Sequence, residues 1–186
     1  MIYAFFDTET TGLLKPEEAS INLQPEIIEL YIVKLSLPLG SKEFNFVDEL
    51  NTFMRPKTLP LDPIITKITN ITNEMIADAP TFISLYPKIA EFMTGVDYIV
   101  AHNLTFDIGM LDVELKRIEC QHKFPWPRFH HCTVEKSLPI EHHRLKLAAL
   151  HEKATGHPHE GAHRAKEDTM ALVTCYKWLM EEGYIL

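Results

Sequence analysis

Two carboxylates, Asp7 and Glu9, follow a short apolar run in the segment Asp7-Thr8-Glu9-Thr10-Thr11-Gly12. Residues i and i+2 of a strand point to the same face. Like charges on one face beside apolar chain repel and are poorly solvated, and a bound cation relieves both costs. Taken alone, such a pair also fits a solvated turn just past the end of a strand. Asp107 closes the segment Ala101-His102-Asn103-Leu104-Thr105-Phe106-Asp107 and falls in the first turn of a helix beginning near Leu104. The helix dipole by itself favours an acid there. Asp168 continues the apolar stripe Ala165, Leu172, Cys175 of a terminal helix and so faces inward, where an acid needs a partner. His163 precedes it by five residues, roughly 140° round a helix of about 3.6 residues per turn. The two can share a site only if His163 lies on a loop, and Gly156, Pro158 and Gly161 supply one. A loop histidine beside acids is a candidate general base. Four carboxylates carry four negative charges, which two divalent ions balance, as in two-metal phosphoryl transfer.

The elements that must position these residues follow from hydrophobic periodicity. Residues 1–7 form a short apolar run ending in acid, which predicts a buried strand. Residues 26–37 alternate and are rich in Ile, Leu and Val, predicting a second strand. Residues 44–54 hold two short apolar stretches around Asp48-Glu49, predicting a strand, a turn and a further strand. Helical spacing marks residues 62–69, 81–94, 104–118 and 146–153, and a long last helix that Gly183 ends. Residues 98–101 and 129–133 predict two more short strands. Strands in hairpin order, then strands alternating with helices, predict one mixed α/β sheet of about five strands flanked by helices.

The chain has 186 residues, a length that predicts one domain over 1–186 with a full core. Apolar residues make up 46 % and charged residues 24 %, which excludes a disordered chain. No run of 18 or more apolar residues suits a membrane span, and the start, MIYAFFDTE, lacks the basic region of a signal peptide. Three scattered cysteines, Cys120, Cys132 and Cys175, form no CxxC pair and predict reduced thiols in a cytoplasmic protein. The net charge of −8 argues against holding nucleic acid on a broad basic surface.

Taken in order, the motifs resemble those of the DnaQ-like 3′–5′ exonucleases of the DEDDh type, which have the ribonuclease H-like fold. The first is Phe6-Asp7-Thr8-Glu9-Thr10-Thr11-Gly12-Leu13, the second Val100 to Asp107, the third His163-Arg164-Ala165-Lys166-Glu167-Asp168-Thr169. Between the first two, Ile68-Thr69-Asn70-Ile71-Thr72-Asn73-Glu74-Met75 resembles the family's I-T-G-I-T-x-E-M stretch, with Asn70 in place of Gly. Asn is the non-Gly residue that best tolerates positive φ. The resemblance implies metal-dependent release of nucleoside 5′-monophosphates from nucleic-acid 3′ ends, with single strands and DNA favoured and RNA open. It implies two Mg²⁺ or Mn²⁺ ions, held by Asp7, Glu9, Asp107 and Asp168, with His163 taking the proton from the attacking water. Thr10, Thr11, Gly12 and Leu13 would line the terminal nucleotide. Asn103 and Phe106 would hold the 3′ end, with His102 supporting them. A polymerase or another nucleic-acid-processing complex is an implied protein partner; a membrane is not.

Rival readings come from the same residues. His159-Glu160-Gly161-Ala162-His163 fits H-E-x-x-H, a zinc-protease pattern that needs both histidines on one helix. Pro158 and Gly161 oppose that helix. A binding module on a decayed nuclease fold would have lost a metal carboxylate, and all four are present. His131-Cys132 and the Cys120/His122 pair lack the regular spacing of a zinc site. Phe124-Pro125-Trp126-Pro127 suits either an exposed aromatic contact or a packed turn. Two divalent ions would neutralise four of the 26 acids. The remaining negative charge predicts weak, distributive binding to the last few nucleotides.

Overall fold

In the computed structural model, which describes residues 1–185, five strands form one sheet. They are β1 (Ile2–Thr10), β2 (Ile27–Ser36), β3 (Asn45–Phe53), β4 (Tyr98–Ala101) and β5 (Phe129–Cys132), in the spatial order β3-β2-β1-β4-β5. β1 pairs antiparallel with β2, and β2 with β3, while β1–β4 and β4–β5 are parallel. The hairpin-ordered half and the helix-connected half therefore share the central strand β1, as the order of elements predicts. Helices α1 (Pro63–Thr69), α2 (Asn73–Ile76) and α3 (Phe82–Met93) lead from β3 to β4, and α4 (Leu104–Arg117) joins β4 to β5. Parallel neighbours need such crossovers. Four more, α5 (Thr133–Lys136), α6 (Leu138–Glu141), α7 (Leu147–Thr155) and α8 (Ala165–Glu181), follow β5.

Alternation along β1 sorts its side chains between two cores. Ala4 and Phe6 pack with Ile99, with Phe92 and Met93 of α3, and with Met110 and Leu111 of α4. Tyr3 and Phe5 pack on the opposite face with Val100 and with Leu172, Cys175, Tyr176 and Leu179 of α8. Each buried Phe, Leu, Ile, Val or Met among them contributes about 1.5–3 kcal/mol of transfer free energy. α4 and α8 are thereby fixed to opposite faces of one strand.

Two expectations about strands need correction. β1 does not stop at Asp7: its ladder with β2 continues through Thr8↔Leu30 and Glu9↔Glu29, so both acids are on paired strand and not in a turn. Nor is there a turn at Asp48-Glu49. β3 is one strand with an irregularity that passes over Val47, between the pairs Lys34↔Asp48 and Leu35↔Phe46. β3 lies at the sheet edge with most side chains exposed, where charges are tolerated and useful. The four-residue helices α2, α5 and α6 went unread because one turn is too short to show a period. Phe124 and Trp126 form a packed turn, with Phe124 buried and the ring centres 4.6 Å apart.

Asn70 ends α1 in the left-handed region, at φ 57°, with its N–H donating to the Thr66 carbonyl. This is the conformation that Gly supplies at helix ends. Asn70→Gly should therefore leave stability nearly unchanged, whereas Asn70→Val should cost about 1–2 kcal/mol, both read from urea unfolding midpoints.

Candidate active site

Beyond its apolar stretch, β1 carries Asp7 and Glu9 on the face already set by Tyr3 and Phe5, the face covered by α8. Asp168, in the first turn of α8, meets them there. The three residues offer carboxylate oxygens that all lie within 4.8 Å of one another. Thr8 points the other way, toward α4. Its N–H and Oγ1 both donate to Asp107 Oδ1, at 3.2 and 2.8 Å. Asp107 is buried behind the strand, apart from the three-acid cluster but close enough to act on Asp7 by charge.

Burial and mutual repulsion dominate the electrostatics. Burial first, then the charges of Asp107, Glu9 and Asp168, push the Asp7 carboxyl well above its ordinary value. Glu9 is pushed up to about 8 by burial and by Asp168 and Glu29, with Arg164 opposing. Burial lifts Asp107 to about 7 against the Thr8 hydrogen bonds. Among the described residues no Lys or Arg forms an ion pair with Asp7, Glu9 or Asp107. An oxygen-only cluster of acids with no resident side-chain cation fits a hard divalent ion.

The segment before α8 is an irregular loop. His163 stands in it at φ 70°, and its N–H donates to Asp168 Oδ2 at 2.9 Å. The loop position expected for His163 is thus present, with the side chain exposed at the rim of the acidic cluster. His159 and His163 share no helix, which removes the zinc-protease arrangement. His159 has a place that sequence reasoning missed. Its Nε2 lies 2.5 Å from Asp168 Oδ1, with both side chains largely buried. A contact made across an irregular loop follows no helix or strand period, so the only available signal was a second histidine in that loop.

A cleft of about 820 Å³ opens over the acids, lined by Asp7, His102, Asn103, Arg144, His163 and Asp168 among others. His102 is braced on both sides. Nε2 donates to the Leu145 carbonyl at 3.1 Å, which leaves Nδ1 to accept from Thr133 Oγ1 at 2.9 Å. Burial lowers its pKa to about 4, so the ring is neutral and acts as a strut. Arg144 donates to Asn103 Oδ1 at 3.0 Å, and Asn103 caps α4 in the left-handed region at φ 70°. The Thr10 and Thr11 hydroxyls shape their own loop: Thr10 Oγ1 donates to the Gly12 carbonyl, and Thr11 Oγ1 accepts from the Glu26 N–H. Thr11, Gly12 and Leu13 line a separate hollow of about 340 Å³, with Leu13 81 % exposed. Phe106 is half-buried against the α3/α4 core. Gly109 of α4, unremarked in the sequence, leaves room for the Leu14 side chain, which a Cβ would meet at 2.6 Å.

Comparison with known proteins gives the chain a family and its fold a set of relatives. The family model described as an exonuclease, RNase_T, matches residues 4–176. DNA polymerase III subunit epsilon of Treponema pallidum is 30 % identical over 170 residues, covering 89 % of this chain and 70 % of that protein. The PolC-type DNA polymerase III of Clostridium perfringens is 31 % identical over 185 residues, 95 % of this chain. The chain spans only 7–12 % of the length of the PolC-type relatives. Among solved structures, the nuclease domain of 3′hExo, a DEDDh family member bound to rAMP, superposes with a TM-score of 0.75 at 17 % identity, covering 98 % of this chain and 92 % of that one. Exonuclease X in complex with 5′ overhanging duplex DNA gives 0.65 at 21 % identity, covering 99 % and 94 %. The fold is thus that of the ribonuclease H-like exonucleases. The chain belongs to this exonuclease family. No helix is long and apolar enough to cross a membrane among the described residues.

The raised carboxyl groups make stability depend on pH when metal is absent. A group whose folded pKa exceeds its unfolded value binds more protons in the native state, so its contribution is lost as pH rises. For Glu9 the window runs from 4.5 to about 8, and for Asp107 from 3.8 to about 7. In EDTA the melting temperature should therefore contain a component that falls across this range. Glu9→Gln should flatten it, and Mg²⁺ should raise the melting temperature most at the alkaline end. Differential scanning calorimetry with and without Mg²⁺ checks each point.

Proposed function

We propose that the chain is a metal-dependent 3′–5′ exonuclease domain, extending over 1–186, that releases nucleoside 5′-monophosphates from single-stranded 3′ ends. The observation that carries the reading is the meeting of Asp7, Glu9 and Asp168 within 4.8 Å, with Asp107 buried behind them and His163 at their rim. Two Mg²⁺ or Mn²⁺ ions, held by Asp7, Glu9, Asp107 and Asp168, would supply charge neutralisation at the phosphate and activation of water. Asp107, held behind the strand by Thr8, would help to hold one of these ions.

The chain's own residues divide the remaining work. His163 takes the proton from the attacking water, its loop turned toward the acids by the bond from its N–H to Asp168. Thr10, Thr11, Gly12 and Leu13 line the terminal nucleotide, while Asn103 and Phe106 hold the 3′ end. His102 keeps the Leu145 segment beside them. Arg144 and Lys146 line the same cleft and give the phosphate backbone local cations in a chain of net charge −8. The likeness to polymerase III proofreading proteins supports DNA as the preferred substrate, a polymerase or similar complex as partner, and the cytoplasm as the compartment. RNA stands as the second reading, favoured by the rAMP held by the similar 3′hExo domain.

A 5′-labelled oligonucleotide incubated with Mg²⁺ should shorten stepwise from its 3′ end. EDTA and Asp7→Ala should each abolish the ladder; equal release in all three lanes would overturn the reading. DNA and RNA of matched sequence, with products identified by mass, assign the sugar. His163→Ala should reduce the rate about 10²–10⁴-fold, as loss of a general base does, with little change in the Mg²⁺ concentration needed for half-maximal activity. An unchanged rate removes His163 from proton transfer.

A further inference from the structure

We infer that Glu29 and Arg164, neither of them among the catalytic carboxylates or the general base, form a clamp that positions His163 and Asp168 over the acid-bearing strand. The inference rests on the nuclease reading above. Glu29 stands on β2 directly opposite Glu9 in the antiparallel register. Immediately beyond that pair the ladder skips a residue, since Thr10 pairs with Ile27 and Ile28 is left over. Irregularities of this kind re-aim side chains next to active sites.

Glu29 is a fifth acid at this end of the sheet, and its side chain is only 1 % exposed. A carboxylate so buried needs full hydrogen bonding, and one short segment supplies it. Arg164 Nε donates to Oε2 at 3.1 Å and Nη2 donates to Oε1 at 2.9 Å, a two-pronged pair. The Ala165 N–H donates to Oε2 at 3.2 Å. The guanidinium also lies over the Phe53 ring of β3, 5.5 Å from its centre. Arg–carboxylate forks of this kind fix orientation as well as distance, which a lysine cannot do.

The clamp holds the chain at the one place where orientation matters most. Arg164 directly follows His163, and its carbonyl accepts the Asp168 N–H at 2.9 Å. Asp168 in turn accepts the His163 N–H. Residues 163–168 thus close on themselves and are tied to β2 by Glu29. β2 is in turn paired along β1, which carries Asp7 and Glu9. A loop rich in Gly and Pro, from 156 to 163, would otherwise leave His163 free to wander. Arg164 also supplies the cation that opposes the charge of Glu9.

Steady-state kinetics on a single-stranded oligonucleotide, with melting temperatures measured alongside, test the clamp. Arg164→Lys keeps the charge but not the fork. The double variant Glu29→Gln/Arg164→Met removes both charges while keeping an acceptor for the Ala165 N–H. Replacing a buried ion pair by neutral groups of similar volume need not destabilise a fold. The double variant should melt near the wild-type temperature yet lose about 10²-fold in kcat, the scale expected when a catalytic group is misplaced by about 1 Å. KM should stay close to wild type, because substrate contacts are untouched. Arg164→Lys should fold and lose about tenfold in kcat, a smaller displacement on the same scale. A wild-type kcat in either folded variant overturns the clamp, and should the double variant not fold, Arg164→Lys alone decides. A wild-type chain with no metal-dependent release removes the nuclease reading itself, an outcome visible before any variant is compared.

Discussion

Carboxylates that are half-buried or buried and repel one another are the constraint around which this molecule is arranged. Asp7, Glu9 and Asp168 approach within 4.8 Å, and Asp107 adds its charge from behind. Left to side-chain freedom, such groups would separate and seek water. They stay because Asp7 and Glu9 are carried on the central strand of the sheet, hydrogen-bonded to β2 on one side. The helices bearing Asp107 and Asp168 are pressed onto opposite faces of that strand by two separate apolar cores. Hydrophobic packing thus holds in place an electrostatic arrangement that is unfavourable until a cation enters.

The acids of this region fall into two kinds. Glu29 and Glu114 each have an arginine of their own, Arg164 and Arg117, and each also accepts a backbone N–H. These pairs tie segments together: Arg117 also donates to the carbonyls of Ile21, Gln24 and Pro25 and so pins the loop before β2. Asp7, Glu9 and Asp107 have no such partner among the described residues. A resident cation makes a carboxylate part of the framework, and on the proposed reading the acids without one are those that would receive an ion from solution.

The division explains how far the sequence could be read. Asp7, Glu9, Asp107, His163 and Asp168 were legible as an ordered set, since most of them taken singly also fit a solvated turn, an acid favoured by a helix dipole or a plain loop histidine. β2, β4, β5 and the longer helices were legible from their periods, and Asn70 from its tolerance of positive φ. Glu29 was not, because an acid inside the strand EIIELYIVKLSL looks like an outward-facing residue until its arginine is known to come from position 164. His159 was hidden for the same reason, since its partner lies across a loop. The extension of β1 past Asp7 was missed because the run Asp7 to Thr10 is too polar to announce a strand. Pairing with β2, and not local propensity, keeps it extended.

The alternation of Asp7, Thr8 and Glu9 between the two faces of β1 has a consequence for how this chain can change over evolutionary time. No side chain records which face each residue takes; that is fixed by counting from Tyr3 and Phe5. Losing or gaining one residue inside β1 would keep every motif letter yet turn Thr8 toward Asp168 and the two acids toward α4. The segment can accept substitution but not a shift in phase, whereas the connections beyond the sheet ends carry no such count. A lineage of such chains should therefore vary in the length of its loops and hold the interval from the aromatic pair to the first acid constant.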